Sequence, residues 1–167
     1  NSRKVEKKTI SFPRVMAIGL SLALAGGSTL VYAHSGAHGV MKERMELMKG
    51  MGDAMKTMGA MFKGQAPYDP AVLAEKAAYL ADHANKIPDL TPEGSNEHPS
   101  EALPIIWQEW DGYVESADLL AAEGGKLVDI ASNGAEERAA KIQFAKVSKT
   151  CGTCHEKYRK PEDDKQS

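Results

Sequence analysis

The stretch KTCGTCHEKYRK, residues 149–160, contains both cysteines of the chain and places a histidine directly after the second of them. Residues four apart lie on one face of a helix, so Cys151 and His155 project the same way and Cys154 borders that face. Three side chains able to hold a ligand are thereby collected within about one turn. The stretch predicts that the ordered part of the chain ends in a helix, and that the functional site lies on it.

The sequence before this stretch predicts further helices. Four stretches carry apolar residues at helical spacing, and none shows the sustained alternation of a strand. The predicted helices cover about residues 39–63, 70–86, 105–122 and 135–160. Residues 87–104 contain four prolines and little periodicity, which predicts a long surface connection. The expected fold is all-α, an antiparallel up-and-down four-helix bundle.

Residues that favour caps and turns mark the ends of these helices. Asp69 is a good N-cap and Pro70 a good first residue for the second helix. Gly124 and Gly125 predict a break or weakening after the third helix, and Asn133 is the expected cap of the fourth. The apolar face predicted for the fourth helix consists of Ala139, Ile142, Ala145, Val147 and Cys151.

The first 33 residues have the pattern of a secretory signal peptide. Basic residues precede an uncharged apolar run from Val15 to Leu24, and small residues lead to Ala33. This run is short of the ~20 apolar residues that a membrane-spanning helix needs. We expect cleavage after Ala33, a single domain over residues 34–167, a periplasmic location, and no membrane association once the leader is removed.

The charge of the mature chain argues against some partners. The chain has 21 basic and 23 acidic residues, and the first 33 residues contain five of the basic residues and one of the acidic ones. The mature chain therefore has 16 basic and 22 acidic residues. A net negative protein is a poor ligand for nucleic acids or anionic membranes. We therefore expect no nucleic-acid partner.

Cys-x-x-Cys-His is the attachment signature of c-type haem. Both thiols add to the vinyl groups of the porphyrin, and the adjacent imidazole binds the iron. A dithiol redox motif is one alternative, although it usually lies in an α/β fold. A disulfide is another, and it leaves His155 without a role. A zinc site would need further ligands from His34, His38, His83 or His98.

Several segments resemble the class II cytochromes c, whose best-known members are the cytochromes c-prime. They are VMKERMELMKGMG (40–52), KGQAPYDP (63–70), PIIWQEW (104–110) and CGTCHEKYR (151–159). The haem motif near the C-terminus is typical of this class, and the likeness covers residues 39–160. The resemblance implies one covalent haem c, electron transfer rather than enzymatic catalysis, redox proteins as partners, and a homodimer formed through the first two helices.

The same resemblance implies roles for residues outside the motif. Arg44 and Met48 fit a family position that faces the iron opposite the histidine, so Met48 is the expected second axial ligand beside His155. A methionine there gives a six-coordinate electron carrier, although some members with methionine stay five-coordinate. The alternative is therefore a five-coordinate cytochrome that binds NO or CO. Arg44 and Arg159 are the expected partners of the haem propionates.

The first helix is rich in methionine. Seven lie within 21 residues: Met41, Met45, Met48, Met51, Met55, Met58 and Met61. Methionine fills irregular gaps in apolar cores, and most of these residues are expected to do so. Thioethers also bind copper(I), which leaves a haem-free, methionine-rich metal-handling bundle as an alternative of another class. A purely structural secreted helical protein is a further alternative.

Overall fold

The computed structural model describes residues 30–134 and 136–161, with side chains from residue 39 onward. These residues form five helices and no strand. The helices are α1 (Leu30–Phe62), α2 (Pro70–Ala84), α3 (Ile105–Gln108), α4 (Trp110–Ser132) and α5 (Glu137–Tyr158). The four long helices make up the bundle, and α3 is a single turn that precedes α4. The predicted all-α four-helix bundle is confirmed.

Apolar side chains from all four long helices share one core. α2 packs against α1 and α4, and α4 packs against α5. The largest fully buried apolar side chains are Met58, Leu73, Leu80, Ile106, Leu127 and Val147. Burying a side chain of this size contributes about 1.5–3 kcal/mol, so these positions hold the helices together.

α1 begins earlier than predicted. Its first residue is Leu30, whereas the sequence pattern indicated a start near residue 39. Residues 1–29, most of the predicted signal peptide, lie outside the described residues, and cleavage after Ala33 stays a prediction. Met45, one of the seven methionines of this helix, does not fill the core: it is 47% exposed, because the buried face of α1 includes Leu47 and Ala54 and is rotated away from Met45.

α2 begins where the Asp69-Pro70 pair predicts. The Asp69 carboxylate accepts hydrogen bonds from the backbone N–H groups of Ala71 (2.9 Å) and Val72 (3.2 Å). These groups have no acceptor within the helix, so the cap satisfies them. The start of α2 is therefore fixed by local chemistry.

The prediction that the third helix ends near residue 122 is wrong. α4 continues through Gly124 and Gly125 to Ser132. A Cβ atom at Gly124 would lie 3.3 Å from both the Cβ and the backbone nitrogen of Ala81 on α2. Gly124 therefore serves close packing of two helices, and the contact between them outweighs its low helix propensity.

Adjacent glycines of α4 provide a matched test of this packing. Gly125→Ala is expected to stabilise the protein by about 0.5–1 kcal/mol, because nothing lies within 4 Å of the new methyl group. Gly124→Ala is expected to destabilise it by about 1–3 kcal/mol, because the backbone of α2 must move away. Denaturant unfolding of the two variants measures the difference. Equal stabilisation by both would contradict the close packing at Gly124.

α5 begins at Glu137, and Asn133 does not cap it. Asn133 lies at the end of α4, where its N–H bonds to the carbonyl oxygen of Asp129 at 3.0 Å. Gly134 follows with φ of 69°, a left-handed conformation that glycine adopts readily and that commonly ends helices. The predicted cap of the last helix is therefore the end of the previous one.

The buried face of α5 also differs from the prediction. Ala139, Ile142 and Ala145 are exposed, and the buried residues are Ala140, Gln143, Val147 and Tyr158. Gln143 explains the difference because its amide donates to the Glu123 backbone carbonyl (3.0 Å) and carboxylate (2.6 Å). Because Gln143 is polar, the spacing of apolar residues does not indicate that this face of the helix is buried. A buried amide is tolerated when it is hydrogen-bonded.

Candidate functional site

A cavity of about 700 Å³ lies between α1, the end of α5 and residues 99–102 of the connection. This volume falls in the range of about 300–1,000 Å³ that is usual for small-molecule and cofactor sites. Its lining consists of Arg44, Met45, Met48, Lys49, Gly52, Lys56, Pro99, Ser100, Glu101, Ala102, Tyr113, Cys154, His155, Tyr158 and Arg159. The helix that carries the cysteine motif and the methionine-rich helix thus contribute to one cavity.

A smaller cavity of about 40 Å³ is lined by residues of the same site. Met48, Tyr113, Cys154 and His155 line both cavities, and Cys151 lines the smaller one. Cys151 and Cys154 are half-buried, whereas His155 is exposed. Every site residue predicted from the sequence therefore lies at one cavity or the other: Cys151, Cys154, His155, Met48, Arg44 and Arg159.

Burial makes the two thiols weak acids. It raises the pKa of Cys154 to about 11, to which the neighbouring Cys151 adds, and it raises the pKa of Cys151 as well. Both groups are therefore protonated at neutral pH. Dithiol exchange requires a thiolate and is favoured by a lowered pKa, so the environment argues against a dithiol redox motif.

The zinc alternative lacks nearby ligands in the described part of the chain. No three His, Cys, Asp or Glu residues are grouped there in a way that could hold a metal ion. The side chains of His34 and His38, two of the ligands considered, lie outside the described residues.

The seven methionines of α1 occupy different environments: Met45 is exposed and lines the large cavity, and Met55 is half-buried against the core. Met41, Met51, Met58 and Met61 are buried in the protein interior, as expected for gap-filling side chains. Met48 is half-buried and lines both cavities. It therefore places a thioether at the site, on the helix opposite the one that carries His155.

Arg44 is held by the connection between α2 and α3. It is 6% exposed, and its guanidinium donates to the carbonyl oxygens of Leu90 (3.0 Å) and Ser95, and to the hydroxyls of Ser95 (2.8 Å) and Ser100 (2.8 Å). Burial lowers its pKa. The predicted propionate partner is thus also an internal cross-link, which fastens a proline-rich connection to the helix that carries Met48.

Removal of this cross-link is expected to destabilise the fold. Arg44→Leu would leave the oxygens of Ser95 and Ser100 buried without their donor, and each such group costs about 1–3 kcal/mol. We expect a loss of about 3 kcal/mol in the free energy of unfolding. Arg138→Leu, at an exposed arginine of α5, is the control and is expected to change it by less than about 0.5 kcal/mol. Similar losses in the two variants, measured by denaturant unfolding, would contradict the role of Arg44.

The connection is also joined to the end of α5. Ala102 and Arg159 form an isolated antiparallel bridge, and the Leu103 N–H donates to the Tyr158 carbonyl oxygen at 2.9 Å. The Arg159 guanidinium donates from Nε to the Glu101 carboxylate at 2.6 Å. Residues 101–103 therefore form a fixed rim of the cavity rather than the simple surface connection that the sequence suggested.

Tyr113 is a site residue that the sequence analysis did not single out. It is buried, it lines both cavities, and its hydroxyl lies 3.0 Å from the hydroxyl oxygen of Thr91. Burial raises its pKa, so the hydroxyl stays neutral. The helical spacing from Tyr113 to Ala117 and Leu120 could have placed it on the buried face of α4. The carbonyl oxygen of Thr91 also accepts a hydrogen bond, from the indole N–H of Trp107 at 3.1 Å.

None of the helices in the described part of the chain combines the length and the apolar character needed to cross a bilayer.

The donor set fits a covalently attached haem. Two thiols and an imidazole lie at the end of α5, a thioether lies on α1, and the cavity between them is lined by aromatic and apolar side chains together with several charged ones. A haem c requires two thiols for its thioether bonds and an imidazole for its iron. The residues present therefore suit this group.

Comparison with known proteins agrees with this fit. The family model described as Cytochrome C' matches residues 39–159. Cytochrome c-556 of Agrobacterium tumefaciens (strain II Chrys) is 32% identical over 121 residues, 72% of this chain and 97% of that relative. Cytochrome c' of Rhodopseudomonas palustris is 32% identical over 125 residues, 72% of this chain and 81% of that relative. The solved structure of cytochrome c' from Rhodopseudomonas palustris matches with a TM-score of 0.69 at 31% identity, over 74% of this chain and 97% of that one. These matches confirm the resemblance to class II cytochromes c: the chain belongs to the cytochrome C' family and carries one covalently attached haem c.

Proposed function

We propose that the protein is a periplasmic electron carrier with a single haem, in which Cys151 and Cys154 form the thioether bonds. His155 and Met48 are the residues proposed to bind its iron. The observation that carries this proposal is that Met48 and His155, on different helices, line the same two cavities. An imidazole and a thioether that face one site can bind a metal from two sides.

When bound, haem c supplies a one-electron Fe(III)/Fe(II) couple. The two cysteines would fix the macrocycle to α5, and His155 follows them closely enough to reach the metal. Bound to that iron, the thioether of Met48 would favour Fe(II) over Fe(III) and so raise the reduction potential. Tyr113 and Tyr158, both buried at the large cavity, would limit the access of water to the group.

Arg44 and Arg159 are the proposed partners of the haem propionates. Both line the large cavity, and both are held by residues of the connection, Arg44 by Ser95 and Ser100 and Arg159 by Glu101. A carboxylate brought into a partly buried site is stabilised by a positioned guanidinium. The connection would therefore hold both cations at the edge of the cavity.

A five-coordinate cytochrome that binds NO or CO is the second candidate function. The small cavity of about 40 Å³ supports it, since Met48, Ala117 and Leu120 contribute apolar surface to its lining. A cavity needs about 10–15 Å³ of such space to hold one water molecule, so a diatomic gas is of suitable size for it. The haem-free metal-handling bundle and the purely structural protein are not proposed, because the family carries haem c.

Optical spectra of the purified holoprotein distinguish the two functions. If Met48 is a ligand, the oxidised protein will show a methionine-to-iron charge-transfer band, and CO will leave the spectrum of the reduced protein unchanged. A five-coordinate iron would lack that band and bind CO at once. The second result would overturn the electron-carrier assignment in favour of gas binding.

The location is tested separately. When the full chain is expressed in a Gram-negative host, we expect the holoprotein in the periplasmic fraction with His34 as its first residue. An uncleaved chain in the cytosol would contradict the proposed export.

The homodimer also remains a proposal. The exposed Met45, together with Met41 and Pro99, lines an apolar groove of about 490 Å³ beside α1, which a second copy would cover. Sedimentation of the holoprotein tests it, and a monomer at micromolar concentration would contradict it.

A further inference from the structure

The charges of the mature chain are segregated. Residues 34–137 contain eight basic and 18 acidic residues, whereas residues 138–167 contain eight basic and four acidic residues. The second segment consists of most of α5 and the residues after it. The helix that carries the cysteine motif is therefore positive on a protein that is otherwise strongly negative.

The exposed surface of α5 combines this charge with an apolar centre. We define the basic face of α5 as Arg138, Ile142, Lys146 and Lys149, which are all exposed and lie on one side of the helix. Ile142 is 55% exposed, the most exposed of the large apolar side chains among the described residues. An apolar residue surrounded by cations is typical of small, weak protein interfaces with a polar rim.

The cations of this face differ from other basic residues near the cavity. Lys49 and Lys56 of α1 share Asp53, and Arg159 pairs with Glu101. Lys146 and Lys149 form no ion pair within the described part of the chain. The charge of Lys149 is therefore available to a partner, whereas Lys146 also interacts with the Glu123 carboxylate, to which Lys126 and Gln143 donate hydrogen bonds.

We propose that the basic face of α5 is the docking surface for an acidic redox protein. The proposal rests on the electron-carrier function proposed above. Lys149 lies two residues before Cys151 but projects from the opposite side of α5, so a partner bound here contacts the outer side of the helix to which the haem is attached. Gly152 and Thr153 are small and exposed, which allows close approach at that point. Complementary charge steers such encounters and raises association rates.

Charge also selects among possible occupants. A second copy would bring two basic faces together, which costs free energy through like-charge repulsion. An anionic membrane would attract α5 but repel the net negative charge of residues 34–137. A protein with an acidic patch around its own redox centre avoids both the repulsion between two basic faces and the repulsion between a membrane and residues 34–137.

Electron transfer to two blue-copper proteins tests the proposal. One probe has an acidic patch at its copper site and the other a neutral surface. The reduced holoprotein gives one electron, Fe(II) becomes Fe(III), and the copper is reduced from Cu(II) to Cu(I). We expect the acidic probe to react faster at low ionic strength and to slow as salt is added. The rate with the neutral probe should change little.

Charge reversals locate the docking surface. Lys146→Glu and Lys149→Glu should each lower the rate constant with the acidic probe by about threefold or more at low salt. Lys86→Glu makes the same change in charge at an exposed residue just after α2, a helix that packs against α1 and α4, and should leave the rate unchanged. The absorption spectrum of each variant checks its haem content. If Lys149→Glu fails to take up haem, Lys146→Glu alone tests the docking surface.

Several results would overturn the proposal. Equal effects of Lys146→Glu and Lys86→Glu, or rates independent of salt, would exclude docking on α5. Binding to anionic vesicles that Lys149→Glu abolishes would assign the face to a membrane instead. Failure to reduce either copper protein would instead overturn the electron-carrier function, so the two failures are distinguishable.

Discussion

Replacing both cysteines by serine is expected to abolish covalent haem attachment completely. Cys151 and Cys154 are the only cysteines of the chain, and a serine hydroxyl cannot form the thioether bond. A cavity of about 700 Å³ would then lack a covalently held group, and loss of the contacts made to that group should lower the stability of the bundle. Haem staining of the denatured polypeptide measures the attachment directly.

Thr153→Ala is the matched control for the double serine variant. Thr153 lies between the two cysteines in the same turn of α5, and it is exposed. We expect this variant to keep its full haem content after denaturation. Haem that survives denaturation in the double serine variant would show attachment elsewhere and contradict the assignment of the two cysteines.

Met48→Leu is expected to convert the proposed electron carrier into a protein that binds CO. Leucine is similar in size to methionine but has no sulfur, so the core should tolerate it at a cost below about 1.5 kcal/mol. The charge-transfer band of the oxidised protein should disappear, and the reduction potential should fall because the thioether no longer favours Fe(II). CO should then bind to the reduced protein. Absorption spectra and a redox titration measure these changes.

Met55→Leu provides the comparison for Met48→Leu. Met55 lies seven residues further along α1, is also half-buried, and packs against the core without lining either cavity. Its replacement should leave the spectrum and the potential unchanged. An unchanged spectrum in Met48→Leu would remove Met48 from the ligand set and favour the five-coordinate alternative.

The parts of the fold that follow from local chemistry were predictable. The helical spacing of apolar residues predicted an all-α bundle, and the Asp69-Pro70 pair predicted the start of α2. The cysteine motif predicted the cofactor, because its spacing is a requirement of the attachment chemistry. Each of these features depends on residues within one or two helical turns of each other.

The features that escaped prediction depend on contacts between distant residues. Arg44 forms hydrogen bonds with residues 46 to 56 positions later in the chain, and no local sequence pattern predicts these bonds. Gly124 is helical because Ala81 packs against it. The inner face of α5 was misplaced because Gln143 is buried through its bonds to Glu123. In each case tertiary packing outweighs local propensity.

Intact mass spectrometry of the mature polypeptide tests most directly whether α5 holds a covalent haem. The protein should be produced in a host that can attach c-type haem and analysed after denaturation, which removes any group held without a covalent bond. We expect the mass of the chain that begins at His34 plus one haem. The mass of the bare polypeptide would contradict covalent attachment through Cys151 and Cys154.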